Sequence, residues 1–183
     1  RVLRDIGSVL FYLHQRNVVY RDLKPDNIGF DDGGNVKIFD FGLAKRLHPN
    51  DKTSDDLYHL TGNTGSLRYM APEVASGLPY NNRVDVYSFA ILFWQILTLT
   101  IPYAGYSCKM HADLVVGKGY RPKIDSHWPE EWSRLITDCW SGNVKSRPSF
   151  DLILERLDDM IAVLMAKDDL GDEMGVGLMM VRG

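Results

Sequence analysis

The longest apolar run of the chain, VDVYSFAILFWQILTLTI at residues 84–101, restricts most strongly what the chain can fold into. The run is barely long enough to span a bilayer, and it contains Asp85 and Gln95. A helix that is apolar on most of its surface belongs in the interior of a folded domain. We therefore interpret the run as a buried helix and predict no membrane span.

The composition is that of an ordinary folded protein and excludes several classes. The 183 residues suffice for one domain or part of a larger one, and 45% hydrophobic with 25% charged residues excludes disordered and collagen-like chains. A net charge of −3 argues against non-specific nucleic-acid binding. The two cysteines, Cys108 and Cys139, can form neither a metal cage nor a disulfide framework, and residues 1–17 lack signal-peptide features. We expect a cytoplasmic protein, with membrane anchoring of a longer parent left open.

The periodicity outside this run is mostly helical. We predict helices over 1–15, 71–76, 83–99, 107–116, 129–139 and 149–165. Two short apolar runs, 27–30 and 35–39, flank DDGG, where Gly33 and Gly34 can adopt the positive φ of a tight turn. The predicted fold class is mostly α with a short antiparallel β-hairpin inserted after the first helix.

Two segments lack a regular pattern. Residues 42–70 are rich in Gly, Ser, Thr, Asn and Asp, and a loop this long in a compact domain is usually functional or mobile. Residues 166–183 contain several glycines without a clear period. We predict one domain over 1–165 followed by a loose tail over 166–183.

Polar residues beside the predicted hairpin suggest a metal site. Asp22 and Asn27 lie in YRDLKPDN, where each alone would be a turn former. Asp40, in the tripeptide Asp40-Phe41-Gly42, directly follows the second hairpin strand. The amide oxygen of Asn27 and the carboxylate of Asp40 could together hold Mg²⁺. Asp22 would then remain free to accept a proton.

Four segments, in order, resemble the signatures of protein kinases. YRDLKPDNIGF, KIFDFGLAK, GSLRYMAPEV and DVYSFAILFWQIL are similar to the catalytic loop, the metal loop, the end of the activation segment and the central helix. The resemblance covers residues 1 to about 165 and implies the large C-terminal lobe of a protein-kinase-like fold, α+β when intact. It also implies ATP and Mg²⁺ as cofactors and a protein as the substrate.

The resemblance also implies the roles of individual residues. Asp22 resembles the base that accepts the proton of the substrate hydroxyl, and Lys24 the lysine that neutralises the transferring phosphoryl group. Asn27 and Asp40 resemble the metal ligands, so that both, with Lys24, face ATP. Because all four of these residues are present, the sequence does not favour a kinase that has lost its catalytic activity. Lys24 is typical of serine/threonine kinases, and other segments resemble the tyrosine-kinase-like branch, so dual specificity stays open.

Further residues resemble the regulatory and structural parts of kinases. Arg21 is similar to the arginine that binds a phosphorylated activation-loop residue. The candidate hydroxyls are those of Thr53, Ser54, Tyr58, Thr61, Thr64 and Ser66. Of these, Thr61 and Thr64 are favoured for phosphorylation, whereas Ser66 is expected to contact Asp22 and Lys24.

Four positions are implied to be structural. Tyr20 stands where histidine is commoner and is expected to pack beneath Phe41, whose neighbour Gly42 completes the metal loop. Glu73 and Arg147 resemble a buried ion pair that anchors the activation segment. Asp85 resembles the helix residue that holds the catalytic-loop backbone. One departure from the pattern is Val144, which stands where proline is usual.

Some kinase motifs do not occur in the sequence. No Gly-rich loop and no strand lysine precede the first helix, and the GVG at 175–177 lies on the wrong side. We expect the chain to be the larger lobe of a longer protein, with the smaller lobe as its missing partner. Alone it should show little kinase activity and expose apolar surface. A truncated lobe acting as a scaffold stays open, whereas the long activation segment disfavours a small-molecule kinase.

Overall fold

The computed structural model describes the backbone of residues 1–53 and 55–179 and the side chains of residues 1–53 and 55–166. Its α-helices are α1 Val2–His14, α2 Pro72–Ala75, α3 Arg83–Thr98, α4 Cys108–Met110, α5 Glu130–Cys139 and α6 Phe150–Met179. Its strands are β1 Val18–Val19, β2 Ile28–Phe30, β3 Val36–Ile38 and β4 Lys45–Arg46. The predicted fold class, mostly helical with a short hairpin, is confirmed.

Helix α3 forms the centre of the domain. All residues from Val84 to Phe93 are buried, and α1 and α5 pack against this helix. The helix ends where Leu99 adopts a left-handed conformation with a φ of 53°. The predicted buried helix is therefore confirmed. Among the described helices, none combines the length and apolarity that crossing a membrane would require.

The hairpin of β2 and β3 brings the two chemistry-bearing loops together. The strands are antiparallel, with Ile28 opposite Ile38. In the turn, the Asp31 carboxylate accepts hydrogen bonds from the backbone N–H groups of Gly33 and Asn35. Only Gly34 has the positive φ, 73°, so the expectation for Gly33 is wrong. The hydrogen bonds to Asp31 explain this, because they stabilise the turn with a single left-handed residue.

A second small sheet was not predicted. Strands β1 and β4 pair antiparallel, with Val18 opposite Arg46. Each strand has two residues, which is too short to show the alternation that identifies a strand. This pairing places the start of the 42–70 loop beside the segment that carries Asp22.

The 42–70 loop is largely irregular, as predicted, but it is tied to the helical domain. It contains β4 and a 3₁₀ turn at Pro49–Asp51. Tyr58 pairs with Tyr80 through two backbone hydrogen bonds, and the backbone N–H of Asn63 donates to Val74. Ser54 lies outside the described residues. The loop therefore follows the surface next to α2 and the start of α3.

Two predicted helices differ from the structure, one in helix type and one in length. The 107–116 helix consists of α4 and a π-helical segment, His111–Val116, and the change of period inside it was not foreseen. Helix α6 does not end at 165 but continues to Met179, into the segment 166–183 that the sequence predicts as a tail after the domain. Ala, Leu, Met and Glu in this stretch favour helix, and each glycine costs only about 1 kcal/mol relative to Ala. Residues 180–183 lie outside the described part.

Candidate active site

The carboxylate of Asp22 is the centre of the site. Its Oδ2 accepts hydrogen bonds from Lys24 Nζ at 2.9 Å and Asn27 Nδ2 at 3.0 Å. Its Oδ1 accepts from the backbone N–H and from the hydroxyl of Ser66, both at 3.0 Å. Asp22 is 6% exposed. The structure therefore brings together four of the residues that the sequence singled out.

The arrangement of these residues follows from the local backbone. Pro25 begins a 3₁₀ turn over Pro25–Asn27, which returns the Asn27 side chain to Asp22. Ser66 reaches the same carboxylate from the end of the 42–70 loop. The described hydrogen bonds of Ser66 include none to Lys24, so the expected contact between these two side chains stays a prediction.

Asp40 lies on the neighbouring loop, beyond β3. The backbone N–H of Phe39 donates to the carbonyl oxygen of Asn27 at 2.9 Å, which holds the two loops side by side. Asp40 has a positive φ of 51°, and its Oδ1 accepts from the backbone N–H of Gly42 at 3.1 Å. Its side chain is exposed to the solvent.

The donor set at these two loops fits Mg²⁺. Asn27 uses Nδ2 to donate to the backbone oxygen and the carboxylate of Asp22, which turns Oδ1 away from that residue. An amide oxygen and one carboxylate suit Mg²⁺, which retains water and phosphate ligands. Among the described residues, no group of three or more His, Cys, Asp or Glu is arranged to hold a metal ion. Asn27 and Asp40 would therefore need phosphate oxygens to complete the coordination.

Tyr20 supports the loop that follows β3. Its ring lies 5.4 Å from that of Phe41 in an edge-to-face arrangement, and its hydroxyl donates to the carbonyl oxygen of Phe39 at 2.5 Å. Burial raises the pKa of Tyr20 to about 12. The phenol therefore stays protonated at neutral pH and keeps donating this hydrogen bond.

Asp85 holds the backbone just before Asp22. Its two oxygens accept from the backbone N–H groups of Tyr20 and Arg21, each at 2.8 Å, and the side chain is fully buried. The same carboxylate lies 2.8 Å from Nε2 of His14, at the end of α1. Sequence reasoning missed His14, because a histidine at a helix end gives no signal of a partner 71 residues away.

Glu73 and Arg147 form a bidentate ion pair in the interior. Nη1 and Nη2 of Arg147 donate to the two Glu73 carboxylate oxygens at 2.6 and 2.9 Å. The remaining donors of the guanidinium group bond the carbonyl oxygens of Ser141 and Arg83. The pair thus connects α2, at the end of the 42–70 loop, to the start of α3 and the segment before α6.

Arg21 contacts one of the candidate phosphorylation sites directly. Its Nη1 donates to the Thr61 hydroxyl at 3.0 Å and to the Tyr80 hydroxyl at 3.0 Å, while Nε donates to the carbonyl oxygen of Leu43. Thr64 donates its own hydroxyl to Thr61 instead of contacting Arg21. Sequence reasoning missed Tyr80, since a tyrosine between two loops shows no pattern.

A cleft of about 760 Å³ extends from the Asp22 loop across the surface. Its lining includes Lys24 and Asn27, the 66–69 segment, and Tyr103 and Tyr106. Lys24, Asn27 and Ser66, which line this cleft, all donate hydrogen bonds to Asp22. The other end of the Asp22 loop adjoins the exposed rings of Phe39 and Phe41.

Comparison with known proteins gives a consistent result. The sequence model described as "Protein kinase domain" matches residues 1–157. The chain is 37% identical over 161 residues to serine/threonine-protein kinase STY17 of Arabidopsis thaliana, with 88% of this chain and 27% of the relative aligned. It is 38% identical over 160 residues to dual specificity protein kinase pyk3 of Dictyostelium discoideum, with 87% and 11% aligned. It is 34% identical over 164 residues to serine/threonine/tyrosine-protein kinase HT1 of Arabidopsis thaliana, with 88% and 40% aligned. The chain thus spans well under half the length of these relatives.

Proposed function

The chain belongs to the protein kinase family, and from that premise we propose that it supplies the catalytic groups for transfer of the γ-phosphoryl group of ATP to protein Ser or Thr hydroxyls. The observation that carries the proposal is the convergence of Lys24, Asn27 and Ser66 on the Asp22 carboxylate, beside a cleft of about 760 Å³ that these three residues line. A reaction that depends on positioning and charge stabilisation needs such a preorganised cluster.

Asp22 acts as the proton acceptor in this proposal. A substrate hydroxyl in the cleft would donate its proton to the Asp22 carboxylate while its oxygen attacks the γ-phosphorus and the bond to the leaving ADP oxygen breaks. The four hydrogen bonds fix the orientation of the carboxylate. Lys24 lies 2.9 Å from Asp22 and is partly exposed to the cleft, so its ammonium group can stabilise charge on the transferring phosphoryl group.

Asn27 and Asp40 would hold the metal ion. Mg²⁺ bound there would neutralise the phosphate oxygens of ATP and orient the γ-phosphoryl group. The backbone hydrogen bond between Phe39 and Asn27 keeps the two ligand-bearing loops at a fixed separation. Tyr20 supports the loop that carries Asp40 through its contacts with Phe39 and Phe41.

Phosphorylation of Thr61 is the proposed means of activation. Thr61 is exposed, and its hydroxyl already accepts a hydrogen bond from Arg21. A phosphate on this oxygen would form a charge-assisted bond with the guanidinium group. Thr64 is the weaker candidate because its hydroxyl points toward Thr61.

The proposed acceptor is serine or threonine. Lys24 favours this specificity, and the relatives named above include both serine/threonine and dual-specificity kinases.

We also propose a cytoplasmic location, which is supported by the free thiols of Cys108 and Cys139. The alternative function, a non-catalytic binding module, offers no reason for the convergence of donors on Asp22.

A phosphoryl-transfer assay tests the proposal. In a polypeptide that contains this chain and a complete ATP site, labelled ATP with Mg²⁺ should give phosphoserine and phosphothreonine on a generic protein substrate. Asp22→Asn should lower kcat by about 10²–10⁴-fold. Asp32→Asn, which removes an exposed carboxylate in the hairpin turn, is the matched control and should leave the rate unchanged. Equal rates for Asp22→Asn and the unmodified protein would exclude the proposed base.

A further inference from the structure

We propose that Tyr80 is a positioning residue that docks the 56–64 part of the loop against the domain and orients Arg21 without a phosphate. The side chain of Tyr80 is fully buried. Its hydroxyl donates to the carbonyl oxygen of Thr61 at 2.8 Å and accepts from Nη1 of Arg21 at 3.0 Å. One buried hydroxyl therefore connects the loop to the residue that precedes the proposed base.

The backbone of Tyr80 docks the same part of the loop. Its N–H and carbonyl groups exchange hydrogen bonds of 3.1 and 2.9 Å with Tyr58. The Asn81 amide donates to the carbonyl oxygen of Asp56 at 3.1 Å, and the Asn63 backbone donates to Val74 at 2.9 Å. Residues 56–63 thus lie along residues 74–81 over their whole length.

The two segments, residues 56–63 and 74–81, are closely packed as well as hydrogen-bonded. A Cβ atom on Gly62 would lie 2.6 Å from the Cα of Gly77, a distance that real Cβ atoms do not reach. The backbone at Gly62 therefore lies closer to that of Gly77 than any side chain at position 62 would allow. The loop therefore has a fixed position at Gly62, next to the Thr61 that Tyr80 contacts.

Two sets of contacts, which we call routes, connect the docked loop to Asp22. Arg21, with a φ of 71°, is held by Asp85 at its backbone and by Leu43, Thr61 and Tyr80 at its guanidinium group. The other route runs along the loop, where Ser66 donates two hydrogen bonds to Asp22. A shift of the loop at Thr61 would disturb both routes, since Ser66 is only five residues further along.

Every one of these contacts uses an unmodified side chain or the backbone. Tyr80 supplies the acceptor and the donor that hold Arg21 and the loop together before any phosphate is added. Phosphorylation of Thr61 would then strengthen an existing arrangement and not create it. The catalytic part of this inference rests on the proposed function, whereas the docking part does not.

Amide hydrogen exchange of the 183-residue chain tests the docking. Tyr80→Phe removes only the hydroxyl and should accelerate exchange of the amides in 58–64 about two- to tenfold, the loss expected for the neutral hydrogen bond to the Thr61 carbonyl oxygen. Amides at the centre of α3 should be unaffected. Tyr12→Phe is the matched control, because its ring is 54% exposed on α1. Unchanged exchange in 58–64, or equal acceleration in α3, would overturn the proposal.

A kinetic experiment tests the orientation of the base. In a polypeptide with kinase activity that contains this chain, treated with phosphatase, Tyr80→Phe should lower kcat on the order of tenfold. The KM for ATP should not change, and phosphorylation of Thr61 should restore part of the rate. Faster exchange with an unchanged kcat would refute the positioning role. Absence of activity in the unmodified polypeptide would count against the proposed function alone, because the exchange measurement does not depend on catalysis.

Discussion

Charged residues of this chain occur in two very different environments. The Arg147 side chain has no exposed surface, and its partner Glu73 is 8% exposed. Arg134 pairs with Glu130 on the surface of α5, where the two side chains are 57% and 80% exposed. A buried charge that loses its partner cannot be compensated by water, whereas an exposed one can. The two arginines therefore provide a direct comparison.

Removal of the buried arginine should be strongly destabilising. We expect Arg147→Met to lower the free energy of unfolding by about 3–5 kcal/mol, because Glu73 would remain buried without its partner. Arg134→Met is the control and should change it by about 0–1 kcal/mol. Urea denaturation of both variants measures the difference. Similar losses for the two variants would show that the Glu73–Arg147 pair has no special role.

The sequence predicted those single residues that belong to a motif. Asp22, Asn27, Asp40 and Ser66 were found because their spacing matches a known pattern, and the structure places three of them in direct contact. His14 and Tyr80 were not found, although both bond residues of the site. Their partners are 71 and 59 residues away along the chain, and only the folded arrangement brings them together.

At the level of elements, hydrophobic period and proline positions predicted the bounds of α1, α3 and α5 to within one residue, but not the end of α6. They could not predict the pairing of β1 with β4 or the change to π-helical bonding at His111, because these depend on contacts with the rest of the fold. The 42–70 loop was predicted to lack periodicity. Its order comes instead from single contacts, and the tightest of them is at Gly65.

A side chain at Gly65 should displace the loop from Asp22. Gly65 has a φ of 99°, and a Cβ atom there would lie 2.3 Å from the carbonyl oxygen of Arg21. Gly65→Ala should therefore cost more than the roughly 1 kcal/mol of conformational strain that alanine brings at a positive φ. It should also remove the protection of the Ser66 amide in hydrogen exchange, because this amide donates to Asp22.

The control for this substitution is Gly34→Ala in the hairpin turn. Gly34 has a comparable φ of 73°, but a Cβ atom there would meet nothing within 4 Å. The difference in thermal stability between the two variants isolates the steric clash from the backbone strain. If both variants lose the same stability, the loop is not fixed by its approach to Arg21.

At the scale of the whole molecule, several large apolar side chains are exposed on the described surface, and most of them lie in one region. Phe30, Phe39, Phe41 and Leu99 expose between 49% and 89% of their surface. Three of these residues lie on or beside β2 and β3, next to the loop of Asp40. Large exposed apolar side chains in one region are typical of a surface that is covered by another part of a protein. The loop of Asp40 thus adjoins exposed apolar side chains that the described part of this chain does not cover.

The 183-residue polypeptide should accordingly be a poor enzyme. In the proposed reaction, Asp22, Lys24, Asn27 and Asp40 act only on an ATP molecule whose phosphates are held in line, and the 183 residues contain no strand followed by a Gly-rich phosphate-binding loop. We expect its turnover with ATP, Mg²⁺ and a generic protein substrate to equal that of its Asp22→Asn variant. The circular dichroism of both should show the same folded domain, which separates a missing ATP clamp from a failure to fold. Robust turnover that Asp22→Asn abolishes would contradict this expectation, because it would mean that the residues present position ATP by themselves.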